Sequence, residues 1–381
     1  MQDIRFPSFP FDSLLAGTII ELERARGDLI APARLPPLFA ELRELFQHLT
    51  SMLSARIEGN RTTVVDALEG AARAERGEGE VRDDVREILQ LDRTSEYIDE
   101  RHREGQLVLS HKLIRELHKL AVDGLHREGD ATPGEYRTGQ VSIAGAAHVP
   151  PGPESVFADM DQLLAFINRK VAPQQQLMQV AIAHHRFVWI HPFGNGNGRV
   201  SRLLTYAMLV DRGFTGAGYR ALNPTTVFGA DREAYYARLS RADALDDEGM
   251  IQWCQYVLDG IKHDLDAIQQ LNDPRTVLNE VYIPALDHAH RSGVLSGRDV
   301  AVLARIAGLE SARAGDIEDL VRVTPTARSQ YIRKLLEQGL IQRTEPRARS
   351  YCIKLVTNEL TIFVVRRLDE LGLLPSILMD D

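Results

Sequence analysis

Twelve consecutive residues, HPFGNGNGRVSR from His191 to Arg202, hold a histidine, three glycines and two arginines. Glycine gives a core no side chain and loses more conformational freedom on folding than other residues. This spacing therefore serves something other than packing. A glycine-rich turn running into a helix suits an anion, because its N–H groups converge and the helix N-terminus adds partial positive charge. Gly194, Gly196 and Gly198 let the backbone approach a ligand closely. Arg199 and Arg202 lie three apart, on one face of the following helix, and offer forked donors to successive phosphates. His191 stands just ahead of the turn, where it can take the proton of an attacking hydroxyl. Such general-base assistance is worth about 10²–10⁴ in rate. Base, anion nest and arginine pair together point to attack on a nucleotide phosphate. For a lone glycine turn, a capped interhelical connection with solvated arginines is the plainer reading.

The elements that must position these groups read as mostly helical. LPPLFAELRELFQHLTSMLSARIEGN has apolar residues at three- and four-residue intervals and a stop at Gly59-Asn60. TTVVDALEGAARA begins a helix behind a threonine cap, and RAERGEGEVRDD is an exposed connection. Helices follow in VREILQLDRTSEYIDE, SHKLIRELHKLAVDGLHRE, VFADMDQLLAFINRKV and QLMQVAIAHHRFVWI, the last leading into the glycine turn. VSRLLTYAMLVDRG, after the turn, is apolar enough for a central core helix. DREAYYARLSRA and MIQWCQYVLDGIKHDLDAIQQLN complete the region, with a break at Asn272-Asp273-Pro274. Between the helices, Gln140 to Ile143 alternates polar and apolar between glycines and prolines, which predicts a short hairpin or flap. His184 and His185 are adjacent on a helix, about 100° apart, and do not share one metal ion easily.

The 381 residues suffice for two or three domains. A net charge of −9 and a pI near 5.8 give the whole molecule no pull on nucleic acid or anionic membrane, leaving only a local basic patch. Two cysteines, Cys254 and Cys352, suit a reducing compartment. No signal peptide is evident at the start, and no apolar run nears the roughly 20 residues that span a bilayer. A cytoplasmic location is the expectation.

The segment from His191 to Arg202 resembles the signature of the Fic family, His-Pro-Phe-x-(Asp/Glu)-Gly-Asn-Gly-Arg-x-x-Arg, at every defined position except Asn195. The resemblance extends upstream to the flap and its prolines and downstream to YYARL, over roughly residues 100–270. It implies transfer of AMP from ATP to a protein hydroxyl with release of pyrophosphate. His191 would be the base and Phe193 the loop's anchor in the core. Gly196, Asn197 and Gly198 would form the nest around the phosphates. Arg199 would hold the α/β region, and Arg202 would reach the γ-phosphate. The flap at Val141, Ser142 and Ile143 would register a target segment by strand pairing. Tyr235 and Tyr236 would border the adenine, with core packing an equal alternative. The family usually places Asp or Glu at position 195 to bind the Mg²⁺ that bridges the phosphates. Asn195 offers a neutral carbonyl, a poorer ligand for a hard dication, which then binds mainly through phosphates and water.

Ser54 to Asn60, SARIEGN, places Glu58 at the C-terminal end of its helix, where the macrodipole disfavours an anion by about 0.3–1 kcal/mol. Such a carboxylate faces water or has a cationic partner elsewhere. Ser54, Glu58 and Gly59 resemble the family's inhibitory motif, (Ser/Thr)-x-x-x-Glu-(Gly/Asn). By that resemblance Glu58 pairs with Arg202 and denies ATP a productive γ-phosphate contact.

From about residue 299, DVAVLARIA, RAGDIEDLV and TPTARSQYIRKLLEQGL are three helical segments, and IQRTEPRARSYCIKLV reads as a hairpin. That is the order of a winged helix-turn-helix. Its recognition helix would present Thr326, Arg328, Ser329 and Arg333, and its wing Arg343, Arg347 and Arg349. From Thr324 to Lys354 seven Lys/Arg face two Asp/Glu, a local excess of +5. DNA contact and protein contact are equally compatible with that excess.

The expected fold is mainly α, a Fic-type helical core with a short β-hairpin flap and a C-terminal winged helix-turn-helix domain. Expected boundaries are 1–98 for the helical region with the inhibitory motif, 99–274 for the catalytic core, 275–298 for a helical linker and 299–381 for the winged helix. The expected function is a protein adenylyltransferase, autoinhibited by Glu58, with ATP as substrate and Mg²⁺ as its ion. Its partners would be a protein carrying a Ser, Thr or Tyr hydroxyl, the chain itself in a homo-oligomer, and DNA through the winged helix. The rivals are AMP removal or use of another nucleotide, and a DNA-binding regulator whose Fic region only senses nucleotide.

Overall fold

The computed structural model of the chain describes residues 3–28, 36–77, 79–143, 145–214, 225–271 and 273–374. In chain order its longer elements begin with helices α1 (Leu14–Asp28), α2 (Pro37–Ile57), α3 (Val64–Arg76), α4 (Asp83–Arg103) and α5 (His111–Val122). They continue with α6 (Val156–Asn168), α7 (Pro173–Ile190), α8 (Asn197–Asp211), α9 (Thr225–Ala230), α10 (Arg232–Ala242) and α11 (Asp247–Gln270). Pro274 then opens α12 (Pro274–Thr276), which runs through a π-helical stretch into α13 (Ile283–Arg291). Last come α14 (Gly297–Gly308), β1 (Ala312–Arg313), α15 (Pro325–Glu337), β2 (Ile341–Arg343), β3 (Ser350–Ile353) and α16 (Thr361–Glu370). The chain is mainly helical, as the periodicity predicts. Asn272, part of the expected break, lies outside the described residues, as do residues 375–381 of the expected last domain.

Packing divides the chain into two compact units: Met1–Ala31, Thr50–Thr62 and Arg82–Asp266 in one, Pro32–Leu49, Thr63–Val81 and Ala267–Asp381 in the other. This differs from the boundaries expected at 98 and 274. Sequence texture groups residues by neighbourhood along the chain, whereas Glu58 and its turn pack with the elements of the first unit.

In the first unit α8 is the central helix, with every residue from Arg199 to Val210 buried. Beside it lies α7, whose Leu177, Val180, Ala181, Phe187 and Ile190 are fully buried. Trp253 of α11 is also fully buried and donates its indole N–H to Ala181 O at 2.6 Å. Burial of this apolar surface, at about 25 cal/mol per Å², holds the unit together. The C-terminus of α2 closes in a Schellman turn: Asn60 N–H donates to Ala55 O at 3.1 Å and Gly59 N–H to Arg56 O at 3.0 Å. Gly59 takes φ 102°, which fits a residue without Cβ.

Among the described residues the expected flap hairpin is not formed. Val141 to Ile143 carry no strand, and Ala144 lies outside the described residues. An alternation over four residues does not specify a ladder by itself, and this segment is tied down by side chains instead.

In the second unit the C-terminal hairpin is present, with Ile341 opposite Ile353 and Arg343 opposite Tyr351 in an antiparallel pair. β1 adds a third strand on the other edge of β3, which the sequence reading did not anticipate. Of the helical segment expected around RAGDIEDLV, only Ala314–Ile317 is helical, as a 3₁₀ helix that runs on into turns. Glu41 of α2, buried in this unit, accepts from Leu355 N–H at 2.8 Å and from the Gln342 amide at 2.5 Å. No helix among the described residues is long and apolar enough to cross a membrane.

Candidate active site

α7 ends because His191 adopts the left-handed conformation, φ 52°, and Pro192 follows it. A non-glycine residue there carries about 1–2 kcal/mol of strain, so the surroundings must hold it. The His191 ring lies with Nδ1 3.1 Å from the Val188 carbonyl. A carbonyl only accepts, so Nδ1 carries the proton and Nε2 keeps its lone pair. Burial pushes the imidazole pKa down to about 4, against a smaller upward pull from the Val188 hydrogen bond. The ring is neutral at neutral pH and ready to accept a proton.

The turn after it is strapped from three sides. Asn197 buckles the loop on itself, its Oδ1 accepting from Phe193 N–H and its Nδ2 donating to Phe193 O, both at 2.9 Å. Phe193 is fully buried and stacks on His118 with centroids 3.8 Å apart. Gly134 N–H donates to His118 Nδ1 at 2.9 Å, which leaves Nε2–H to donate to Asn195 O at 3.2 Å. Asp130 accepts from Asn195 N–H at 2.7 Å and from Thr132 N–H at 2.8 Å. Burial pushes this carboxyl up, but those N–H groups outweigh it and hold it below the usual range. Gly196 takes φ 75° ahead of α8, and a Cβ there would lie 2.7 Å from Val122 Cγ1. A Cβ on Gly194 would lie 2.9 Å from the Asp130 carboxylate. The glycines serve close packing from behind as well as an open face in front.

That open face meets a cleft of about 730 Å³, lined by Gly194 to Gly198, His191, Glu58, Ser142, Ile143 and Tyr236 among others. One carboxylate already sits on the nest: a Cβ on Gly198 would overlap Glu58 Oε1. The same oxygen accepts from Arg202 Nη2 at 2.8 Å. Ser54 supports the pair, its hydroxyl oxygen accepting from Arg202 Nε at 2.9 Å and its carbonyl from Nη2 at 3.0 Å. Burial raises the Glu58 pKa, but the charge and hydrogen bond of Arg202, with Arg199 and Arg232 further off, hold it below the ordinary value. Glu58 is therefore an anion at the N-terminal end of α8, where the helix dipole favours one.

Other sequence-derived residues are placed differently. Arg199 does not reach the cleft; its Nη1 pairs with Glu87 at 3.0 Å and its Nη2 donates to Glu128 O at 2.6 Å, and it is buried. Tyr235 is core, 2% exposed, with its hydroxyl 3.0 Å from His184 Nε2, whereas Tyr236 lines the cleft and is 41% exposed. Successive helical residues point about 100° apart, so only one of the two tyrosines can border a ligand. Val141 is absent from the cleft lining, while Ser142 and Ile143 belong to it. His184 and His185 are buried on separate partners, Thr205 with Tyr235 and Asp243. Sequence reasoning missed His118, Asp130, Glu87 and Arg137, all supports rather than lining residues.

Asn195 is poorly suited to be a metal ligand in this arrangement, with a neutral oxygen that is already engaged. Its side-chain oxygen, 2.7 Å from Gly196 N–H, accepts that hydrogen bond, and its amide donates to Gly129 O at 3.0 Å. Flipping the amide would set donor against donor and acceptor against acceptor. Among the described residues, no group of three or more His, Cys, Asp or Glu is placed to hold a metal.

In the second unit, Arg328 is buried and pairs with Glu318 at 2.8 Å, which removes it from any exposed basic face. Arg333, Arg343, Arg347 and Arg349 are exposed. Arg343 lies over the Tyr351 ring, 5.5 Å from its centroid.

Residues 108–209 match the Fic/DOC family. A Protein adenylyltransferase Fic of Aedes aegypti is 30% identical over 254 residues, 64% of this chain and 46% of that one. Its counterpart in Culex quinquefasciatus is 28% identical over 272 residues, 68% of this chain and 48% of that one. The chain thus spans about half the length of these curated relatives. Among solved structures, a Fic family protein from Desulfovibrio desulfuricans G20 shares 21% identity over 92% of this chain and 98% of its own, with a TM-score of 0.54. A Fic domain containing signaling protein from Bacteroides thetaiotaomicron VPI-5482 shares 21% over 66% of this chain and 96% of its own, at 0.53. These two likenesses show the fold. The stretch that matches the Fic/DOC family, residues 108–209, runs from just before α5 through α7 and the glycine turn to α8.

Buried neutral histidines give a test of this geometry. Burial pushes His118 and His191 from the ordinary 6.5 down to about 4. The unfolded chain takes up these protons at about 6.5 and the folded chain does not, so stability falls as pH drops through that window. Thermal unfolding should show a midpoint that declines from pH 6.5 to pH 5, before carboxylates titrate. A midpoint flat across that range would contradict the buried, neutral assignment.

Proposed function

We propose that the chain is a protein adenylyltransferase of the Fic type, transferring AMP from ATP to a hydroxyl of a target protein or of itself, and held back by Glu58. The observation that carries this reading is the pairing, in one cleft, of a neutral histidine with free Nε2 and a glycine turn at a helix N-terminus. The names of the curated relatives support the same activity. In the step proposed, the target hydroxyl oxygen attacks the α-phosphorus of ATP. An O–P bond forms, the bond to the β-phosphate oxygen breaks, and pyrophosphate leaves. His191 Nε2 takes the hydroxyl proton. The N–H groups at the start of α8 stabilise the phosphates as charge moves to the leaving group, in a site built before the reaction. Asn195, whose side-chain oxygen already accepts from Gly196 N–H, would hold a Mg²⁺ weakly, and such an ion would be held mainly by the phosphates and water.

Inhibition follows from occupancy. Glu58 lies where an anion would meet Gly198 and Arg202, so a terminal phosphate and the carboxylate compete for one place. Glu58→Gly should release the enzyme. Intact mass after incubation with ATP and a divalent cation should show a gain of one AMP for Glu58→Gly, little for the unaltered chain, and none for Glu58→Gly with His191→Ala. A gain that survives removal of His191 would exclude it as the base.

A second reading concerns the other unit. A helix, a short strand, a 3₁₀ turn, a helix and a hairpin, in that order, support a winged helix-turn-helix. The exposed Arg333, Arg343, Arg347 and Arg349 favour duplex DNA as its ligand over a neutral protein surface. Such binding weakens with salt by counterion release. In fluorescence anisotropy with a duplex, replacing Arg347 or Arg349 by Ala should each lower the slope of log affinity against log salt by about 1. Salt-independent binding, or unchanged slopes, would count against phosphate contact.

A further inference from the structure

Arg137 lies just before the flap and is only 6% exposed. It does not line the cleft, yet every direction of its guanidinium is used on a backbone carbonyl. Nε donates to His191 O at 2.7 Å and Nη2 to Ile190 O at 3.3 Å. Nη1 donates to Gly139 O at 3.0 Å, and Nη2 also to Pro151 O at 2.6 Å. Its own backbone N–H donates to Pro192 O at 2.9 Å.

Two sets of carbonyls meet on this one side chain. Ile190 O and His191 O belong to the end of α7, where carbonyls lack partners within the helix and a cation is favoured. Gly139 O and Pro151 O mark the two ends of the flap that carries Ser142 and Ile143 into the cleft. No strand pairing fixes that flap among the described residues. The planar fork of arginine can serve four acceptors in fixed directions, which a lysine ammonium cannot reproduce.

We infer that Arg137 is a positioning residue that clamps the flap to the base, holding His191 in its left-handed conformation and closing the flap's ends in the same contact. The assignment of a target-facing flap and a base rests on the function proposed above; the clamp itself does not. Placement of a target hydroxyl against His191 Nε2 then depends on a residue that touches neither. Displacement of about 1 Å at a reacting centre lowers rates by about 100-fold, so a loosened clamp should act on transfer rather than on nucleotide binding.

The test uses the full chain with Arg137→Lys, alone and with Glu58→Gly. Hydrogen exchange followed by mass spectrometry should show peptides spanning 138–150 and 188–193 exchanging at least about 10-fold faster, with α4 unchanged. ATP affinity by calorimetry should stay within about twofold, while the AMP transfer rate of the Glu58→Gly form falls about 30-fold or more. A role resting on charge alone would be rescued by lysine, and unchanged exchange in both peptides would overturn the clamp. Faster exchange with an unchanged transfer rate would overturn its role in positioning the base. If Glu58→Gly alone transfers nothing, the functional reading fails and exchange still decides the clamp. Should the variant not fold, native-state exchange of the unaltered chain in low denaturant decides. The clamp requires 138–150 and 188–193 to open in one step, and separate opening would refute it.

Discussion

A guanidinium buried at the start of a helix must find acceptors, and the need of Arg202 for them organises the cleft. The residue is 2% exposed, so water does not satisfy it. Two acceptors come from Ser54 and the third is the Glu58 carboxylate. Removing one partner of a buried ion pair typically costs about 3–5 kcal/mol, because the other charge is stranded. Here the Ser54 oxygens remain, and the vacated position can be filled by another anion. The same place thus suits the carboxylate that fills it and, on the function proposed, a terminal phosphate that would take its position.

That exchange works only if the nest keeps its shape with either occupant. The straps behind it supply this. Asn197 ties the loop across itself, Asp130 and His118 hold Asn195 by its N–H and its carbonyl, and the ring of His118 lies against Phe193. A second linkage reaches the turn after Glu58 directly. Asn60, two residues after Glu58, donates to Glu87 Oε2 at 2.9 Å, and Glu87 Oε1 pairs with Arg199. The first arginine of the signature is therefore spent on framework and only the second faces an exchangeable anion.

What the sequence disclosed follows from what is local. His191, the glycines and Arg202 sit within one short stretch, and their roles in a turn follow from spacing. The end of α2 at Gly59 was legible because a Schellman turn is written in a few neighbouring residues. Arg137, Asp130 and Glu87 were not, because the partners that tie them to the turn and α8, His191, Asn195 and Arg199, lie more than 50 residues away and no local rule reports them. The alternation at Gln140–Ile143 suggested a strand, but pairing needs a neighbouring strand, and this unit has none among the described residues. Arg328 was expected on the presented face of the recognition helix, although its spacing from Ile332 and Leu335 sets it on the buried face of α15. Helical spacing alone would have shown that.

The central claim is that Glu58 occupies the position of a terminal phosphate and nothing else of the nucleotide site. Calorimetric affinities of ATP and AMP for the unaltered chain and for Glu58→Ala test it directly. If Glu58 holds that position, ATP binds at least about tenfold more tightly to the variant, a change of about 1.4 kcal/mol, with AMP unchanged. Equal gains for both nucleotides, or no gain for either, would contradict it.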